Sequence, residues 1–265
     1  MTHLSELQSE TCDPFASAAQ YYFHRPSYPP AAIRWIVNQT TLDPQARLLD
    51  VGCGTGHVCF CFSNYFQHII GIDPSQPMLD QAKAIALSAG VSSISFRRMK
   101  AEDLPADLGA FRLITFGASF HRTEKARVLD LTYDMLEPHG TLALLFPSVP
   151  WRGDAPWKRA LRDTVQRFTG KCLDEDFEPG EDVVRRSRYG HSLVRDFVAE
   201  CRWSCESLVG YLKSTSFCSP STLGSRMQAF ERELTETLQK VQPDAVFEDT
   251  LTTTVLLAHR RSRIE

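Results

Sequence analysis

The sequence lacks any large excess of charge of one sign. Its 265 residues include 29 basic and 32 acidic side chains, which gives a formal net charge of −3. A nearly balanced charge supplies no long-range field to hold a polyphosphate or an anionic bilayer. We therefore expect no nucleic acid and no membrane as a partner, and a small molecule is favoured.

A disulfide framework is also missing, although the chain has 8 cysteines. They lie singly within apolar segments, at positions 12, 53, 59, 61, 172, 201, 205 and 218. Neither Cys59-Phe-Cys61 nor Cys201-x3-Cys205 has the Cys-x2-Cys spacing of a zinc site, and no histidine lies at the usual ligand spacing. We expect reduced thiols and no metal.

Targeting signals are equally scarce. Residues 1–15 are polar and acidic, without the basic start and apolar run of a secretory signal peptide. No window approaches the ~20 apolar residues that cross a bilayer. These features predict a cytoplasmic protein. The sequence leaves the oligomeric state open between a monomer and a homodimer.

What the sequence does contain is an alternation of short apolar strands and amphipathic helices between residues 46 and 146. The candidate strands are ARLLDV (46–51), HIIGID (68–73), ISFRRM (94–99), FRLITF (111–116) and TLALLF (141–146). Helical patterns include one opened by prolines at 27–39, one from an N-cap at Ser75 to Gly90, and one from an N-cap at Thr123 to a stop at Pro138 and Gly140. This alternation predicts an α/β fold with a mostly parallel sheet flanked by helices.

The alternation ends after residue 147. Residues 148–200 are predicted to form an inserted helical cap, and helical patterns resume at HSLVRDFVAEC (191–201) and at 220–241. The β-branched stretch FEDTLTTTVLLAHR (247–260) is typical of a strand that would close the sheet. The chain is thus divided into lid helices (1–40), a ligand-binding core (41–147), the cap (148–200) and a C-terminal part that completes the sheet and the acceptor pocket (201–265).

A glycine-rich loop follows the first predicted strand. LLDVGCGTGH (48–57) places Gly52, Gly54 and Gly56 between a strand and a helix, where bare backbone lets a ligand approach closely. The spacing departs from the dinucleotide motif Gly-x-Gly-x-x-Gly, because His57 stands where the last glycine should be. Asp50 precedes the loop and would repel a pyrophosphate, whereas it suits a ligand that carries an ammonium or sulfonium group.

This loop resembles the first motif of the class I S-adenosylmethionine-dependent methyltransferases, here Asp50-Val51-Gly52-Cys53-Gly54-Thr55-Gly56. The resemblance covers most of the chain and implies a Rossmann-like fold with seven strands. It also implies S-adenosyl-L-methionine as methyl donor and S-adenosyl-L-homocysteine as product. The contacts expected for the donor are Asp50, Gly52, Cys53, Gly54, Gly56, Asp73, Pro74, Met78, Ala101, Glu102, Phe116 and Gly117.

Asp73 and the segment MKAEDLP (99–105) carry the nucleoside part of this expectation. Asp73 ends the second predicted strand, where a carboxylate can accept hydrogen bonds from both ribose hydroxyls. It could instead cap the helix that follows. The resemblance places Met78 near the adenine and Ala101 and Glu102 near the base edge, although Asp103 could exchange roles with Glu102.

The segment QYYFHRPSYPP (20–30) resembles a Tyr-x-x-x-Arg-Pro-x-Tyr-Pro stretch that precedes the first motif in part of the family. The resemblance implies a lid in which Tyr21 faces the sulfonium and Arg25 meets the carboxylate of the methionine moiety. Tyr22 and Tyr28 are expected beside the acceptor. A rigid, proline-shaped packing arm is the alternative.

The stretch GASFHRTE (117–124) follows a predicted strand at the edge where open parallel sheets bind ligands. An imidazole with its ordinary pKa of about 6.5 is largely neutral at cytoplasmic pH and can take a proton from a hydroxyl or amine acceptor. We therefore expect His121 to be the base or to orient the acceptor. Capping the next helix or packing on the donor is the alternative. Arg122 is either a surface residue or an anchor for an acidic group.

Residues 207–224 resemble a later family segment that walls the acceptor pocket, and aromatic residues there and in the cap suggest an aromatic or apolar acceptor. The acceptor contacts expected are Tyr22, Tyr28, Phe120, Arg122, Trp151 and Tyr211. The sequence thus predicts methyl transfer to nitrogen or oxygen of a small metabolite. Two alternatives remain: a protein of this fold that binds S-adenosylmethionine as a cyclase or binding protein, and an NAD-dependent oxidoreductase, which Asp50 and His57 disfavour.

Overall fold

The computed structural model describes residues 13, 15–104, 107–173 and 180–261. The predictions for Cys12 and for most of the polar N-terminal stretch, and part of the cap, lie outside these residues. Within them, no helix combines the length and apolarity needed to cross a bilayer.

One seven-stranded sheet forms the centre of the molecule. Its strands are β1 (Arg47–Val51), β2 (His68–Asp73), β3 (Ile94–Arg98), β4 (Phe111–Gly117), β5 (Leu136–Pro147), β6 (Leu193–Ser204) and β7 (Val246–His259). They are arranged in the order β3-β2-β1-β4-β5-β7-β6. Strands β1 to β5 pair in parallel, whereas β7 runs antiparallel to both β5 and β6. The predicted α/β fold with a mostly parallel, seven-stranded sheet is confirmed.

Helices cover both faces of the sheet. The α-helices are α1 (Pro30–Asn38), α2 (His57–Phe62), α3 (Gln76–Ser88), α4 (Lys125–Met135), α5 (Pro156–Thr169), α6 (Glu181–Arg186), α7 (Cys205–Lys213), α8 (Pro220–Leu223) and α9 (Met227–Val241). Successive strand residues point to opposite faces. In β1, Leu49 and Val51 accordingly pack with α4 and α6, and Leu48 packs with α1 and α2. A third apolar cluster joins α5, α7 and α9 to Trp203 and Phe247 of β6 and β7.

Several predicted element ends are wrong. Helix α4 begins at Lys125 with Glu124 at its N-cap, because the hydroxyl of Thr123 donates to the Phe120 carbonyl instead of capping the helix. Strand β5 starts at Leu136, so Pro138 and Gly140 lie within a strand. The helical pattern at 220–241 is divided into α8 and α9, with a 3₁₀ turn from Gly224 between them.

The largest correction concerns residues 191–201, which are predicted as helix and form most of β6. Along this strand the odd-numbered Phe197 and Trp203 are buried against the protein, while Val194 and Val198 are exposed. Twelve residues of β6 pair in register with β7, from Leu193 opposite Leu257 to Ser204 opposite Val246. Long-range pairing therefore decides the conformation here, and the cap at 148–200 is helical only up to β6.

Candidate active site

A cavity of about 790 Å³ opens at the carboxyl ends of the parallel strands. Its wall combines the glycine loop, the N-terminal residues 13, 15, 22 and 25–29, the loop after β4, the end of β5, and residues in the middle of β6 and β7. This volume falls within the range of small-molecule sites, roughly 300–1,000 Å³. The fold thus brings one ligand-sized space to the sheet edge that the sequence predicts.

The glycine loop is held down on the ends of two strands. The backbone N–H groups of Gly52 and Cys53 both donate to the Ile72 carbonyl, at 2.8 and 2.9 Å. Gly52 has a φ of +68°, and a Cβ there would lie 2.5 Å from the Cβ of Ser119. A side chain at this position would therefore both strain the backbone and push away the loop that follows β4.

Asp73 presents an oriented carboxylate to the cavity. Its Oδ2 accepts the N–H of Gly54 at 2.9 Å, and its Oδ1 accepts the N–H of Ser75 at 2.9 Å. Burial raises the pKa of this carboxyl. Because each carboxylate oxygen has a second lone pair, both can still accept a hydroxyl proton from a ligand.

Asp50 is placed differently from the prediction. Its side chain is fully buried, with Oδ1 accepting the hydroxyl of Thr115 at 2.8 Å and Oδ2 accepting the thiol of Cys59 at 3.3 Å. Burial raises its pKa to about 7. Although Asp50 belongs to the cavity wall, its carboxyl therefore ties β1 to β4 and α2 and offers no exposed oxygen to a cationic ligand.

Arg25 fastens the N-terminal segment to α7. Its guanidinium carbon lies 4.3 Å from the ring centre of Tyr22 and 5.4 Å from that of Tyr211. Its Nε and Nη2 donate to the hydroxyl and the carbonyl of Ser214, at 2.9 and 3.0 Å. Nη1 makes no hydrogen bond to the described residues and remains available at the cavity.

Another part of the cavity is covered by residues 13 and 15–22. Phe15 and Tyr22 pack with Ala18 and Met78, and only 2% of the Met78 side chain is exposed. Asp13 accepts a hydrogen bond from the hydroxyl of Ser75, so this serine stands at the N-cap position of α3 without capping it. This part of the wall, with Asp13 and Phe15, escaped the sequence analysis because it precedes any recognisable motif.

Comparison with known proteins assigns the core of this site. A family model described as "methyltransferase domain" matches residues 48–140. Residues 48–140 are therefore similar to a methyltransferase domain. An uncharacterized methyltransferase from Mycobacterium tuberculosis is 27% identical over 220 residues, which cover 82% of this chain and 83% of that protein.

Solved structures of other proteins share the fold of most of this chain. The YcgJ protein from Bacillus subtilis matches with a TM-score of 0.55 at 17% identity, covering 88% of this chain and 99% of its own. A SAM-dependent methyltransferase from Thiobacillus denitrificans, solved in complex with S-adenosyl-L-homocysteine, matches with a TM-score of 0.50 at 17% identity, covering 92% and 96%. The sequence match and the fold match thus both point to methyltransferases.

Most of the predicted site residues do meet at the cavity. Those in its wall are Tyr22, Arg25, Tyr28, Asp50, Gly52, Cys53, Gly54, Asp73, Pro74, Met78, Ala101, Glu102, Gly117, Arg122 and Tyr211. Glu102 is further fixed because its Oε1 accepts the N–H of Glu124 at 2.9 Å.

The turn after β4 divides its three side chains among three directions. Residues Phe120–Arg122 form a 3₁₀ turn, in which successive side chains diverge by about 120°. Phe120 is buried edge-on against Phe116, so neither predicted contact reaches the cavity. Arg122 lines the cavity and lies 4.6 Å from the ring centre of Phe15.

His121 is not part of the cavity wall. Its side chain is exposed. Partial burial, with the positive charges of Arg122 and Lys125, lowers its pKa to about 4. The expectation that it faces the methyl donor is not met, and its catalytic role stays a prediction.

Three more predicted contacts lie outside the wall. The ring of Tyr21 lies under the ammonium of Lys213, at 4.2 Å. Gly56 is packed against Phe60. Trp151 packs edge-on against Tyr211, at 5.9 Å between ring centres, as part of the third apolar cluster. Conversely, the wall includes residues that the sequence analysis missed: His57, Ala199, Glu200, Cys201, Leu251 and Thr253.

Proposed function

We propose that this protein transfers a methyl group from S-adenosyl-L-methionine to an oxygen or nitrogen atom of a small aromatic or apolar acceptor. The observation that carries the proposal is one cavity whose wall includes both the carboxylate of Asp73 and the rings of Tyr28 and Tyr211. We also expect it to act in the cytoplasm, without a nucleic acid or a membrane as a partner.

The residues in one part of the cavity fit the donor. Asp73 has two oxygens available to ribose hydroxyls, and the apolar pocket of Phe15 and Met78 suits an adenine ring. Arg25 keeps Nη1 available for a carboxylate, to which a guanidinium can donate directly. The donor, when bound, supplies a methyl group already activated on a sulfonium. The Thiobacillus structure with S-adenosyl-L-homocysteine supports this assignment.

Another part of the cavity suits the acceptor. The wall also contains the rings of Tyr28 and Tyr211, next to Arg25, together with Pro147, Ala199 and Leu251. Methyl transfer needs the acceptor atom about 3 Å from the methyl carbon, in line with the bond that breaks, so positioning supplies much of the rate. A rigid aromatic wall performs this task by restricting how a flat acceptor can lie.

The proposal is tested by two measurements on the purified protein. Calorimetry should show binding of S-adenosyl-L-homocysteine, and incubation of S-adenosyl-L-methionine with a panel of small phenols and aromatic amines should produce S-adenosyl-L-homocysteine. Absence of nucleoside binding would remove the donor site. Binding without turnover for any acceptor in the panel would favour a cyclase or a binding protein.

A further inference from the structure

A histidine that the sequence analysis set aside lies in the cavity wall. His57 is the first residue of α2, directly after the glycine loop, and its side chain is half-buried. It is the histidine that the described residues contribute to the cavity. The imidazole expected at the site is therefore supplied from the start of α2 and not from the turn after β4.

The orientation of the His57 ring is set by a buried neighbour. Its Nδ1 lies 3.2 Å from the hydroxyl oxygen of Thr55, which is 1% exposed. Nε2 has no hydrogen-bond partner among the described residues. When Nδ1 carries the proton and donates it to Thr55, Nε2 is left as a hydrogen-bond acceptor.

The surroundings keep this ring neutral. Burial, and secondly the positive charge of Arg25, lower the pKa of His57 to about 4. The ring of Tyr22 is the nearby aromatic group, at 6.1 Å between ring centres. A neutral imidazole retains the lone pair that an imidazolium lacks. A carboxylate bound to Arg25 would offset part of that charge and make Nε2 more basic.

We propose that His57 Nε2 accepts the hydrogen bond of the acceptor's O–H or N–H group and takes its proton during transfer. This inference rests on the proposed function. The acceptor atom forms a bond to the methyl carbon with its own lone pair, and the electron pair of the broken carbon–sulfur bond stays on the donor's sulfur. The proton passes to Nε2 and from there to water, so charge and atoms balance.

A different use of His57 makes a distinguishable prediction. If its ring instead helped Arg25 to hold the donor's carboxylate, replacing it would weaken donor binding and leave the acceptor unaffected. If it serves the acceptor, replacing it would leave donor binding intact. The affinity for S-adenosyl-L-homocysteine therefore separates the two roles without any turnover measurement.

The test follows the histidine rings by NMR in protein saturated with S-adenosyl-L-homocysteine. The chain has 8 histidines, and the His57 signal is identified by its loss in His57→Gln. Phenol serves as the probe for a hydroxyl acceptor. We expect a saturable shift of the His57 Cε1–H signal on adding phenol, with the His121 signal unchanged.

The variants complete the test. His57→Gln should keep the affinity for S-adenosyl-L-homocysteine within about threefold and weaken phenol binding about tenfold or more, since a hydrogen bond to the probe is lost or misplaced. His68→Gln, an exposed substitution at the start of β2, should change neither. A silent His57 signal, a phenol response at His121, or a tenfold loss of donor affinity in His57→Gln would each overturn the inference. Failure of the wild-type protein to bind S-adenosyl-L-homocysteine would instead overturn the proposed function.

Discussion

The buried carboxyl of Asp50 links the titration of one residue to the stability of the whole chain. Its pKa is about 7 in the folded protein, whereas an unfolded aspartate titrates at about 3.9. A group whose pKa rises on folding stabilises the folded state while it is protonated. This contribution is complete below pH ~4 and is lost as the pH rises through about 7.

Replacing Asp50 with asparagine should remove this loss of stability at high pH, because an amide does not ionise. We expect the free energy of unfolding of Asp50→Asn to exceed that of the wild type at pH 8, by on the order of 2–4 kcal/mol, and the difference to shrink towards pH 4. Urea denaturation at a series of pH values measures this. Parallel pH profiles for the two proteins would show that the carboxyl ionises as freely in the folded state as in the unfolded one.

Asp73 makes a prediction about the donor at the same scale. Asp73→Asn puts an NH₂ group in place of an oxygen that accepts the N–H of Gly54 or Ser75, so one donor faces another. We expect the affinity for S-adenosyl-L-homocysteine to fall about tenfold or more, because hydrogen bonds to a charged acceptor contribute roughly 1.5–3 kcal/mol. Asp80→Asn, on the exposed side of α3, is the matched control. Equal affinities for both variants in calorimetry would contradict the ribose role.

At the scale of elements, the sequence predicts those whose conformation is settled locally. Strand β2 is predicted to the residue at 68–73, because its apolar run is bounded by polar residues and by Pro74. Strand β6 is missed because Leu193, Val194, Phe197 and Val198 are spaced as on a helix. Both valines are exposed in the structure. Pairing with β7, about fifty residues later in the chain, overrides the helical spacing of these side chains.

The packing of the N-terminal 3₁₀ turn on α7 depends on one small residue. A Cβ at Gly210 would overlap the imidazole of His24, the last residue of the turn Ala19–His24. Gly210→Ala should displace this turn, lower the free energy of unfolding by about 1–3 kcal/mol, and weaken binding of S-adenosyl-L-homocysteine, since Tyr22 and Arg25 move with it.

The double variant Gly210→Ala with His24→Ala supplies the control for that prediction. Removing the imidazole makes room for the new methyl group, so most of the affinity should return. Calorimetry and thermal unfolding of the three proteins measure both effects. An unrescued double variant would indicate that the alanine acts through α7 itself and not through the turn.

At the scale of the whole molecule, a buried ion pair joins the cap to the sheet. Lys158 of α5 lies 2.5 Å from Asp249 of β7, with 12% and 3% of the two side chains exposed. The indole N–H of Trp203 donates to the other oxygen of Asp249, at 3.2 Å. The cap and the outer strands are therefore connected by charge as well as by the third apolar cluster.

Removing the cation should leave Asp249 buried and poorly compensated. We expect Lys158→Met to lower the free energy of unfolding by about 3–5 kcal/mol, and the double variant with Asp249→Asn to recover most of it. Urea denaturation of the three proteins measures this. A small effect of Lys158→Met, below ~1 kcal/mol, would mean that the pair behaves as a surface salt bridge.

The two parts of the cavity differ in how far they follow from the sequence. The part proposed for the donor comes largely from one stretch, and Gly52, Asp73 and Glu102 line the cavity as the resemblance implies. The part proposed for the acceptor draws on β5, β6 and β7, and its members Ala199 and Leu251 carry no local signal. Their meeting depends on strand pairing, which spacing along the chain does not reveal.

The antiparallel strands β6 and β7 therefore contribute cavity residues from a part of the chain that is separate from the family match. The family match ends at residue 140, while Leu251 and Thr253 reach the same cavity from β7. Under the proposed function, exchange of these two strands between relatives would transfer the choice of acceptor. The residues of β6 and β7 can then diverge between relatives while the residues that bind the common methyl donor stay the same.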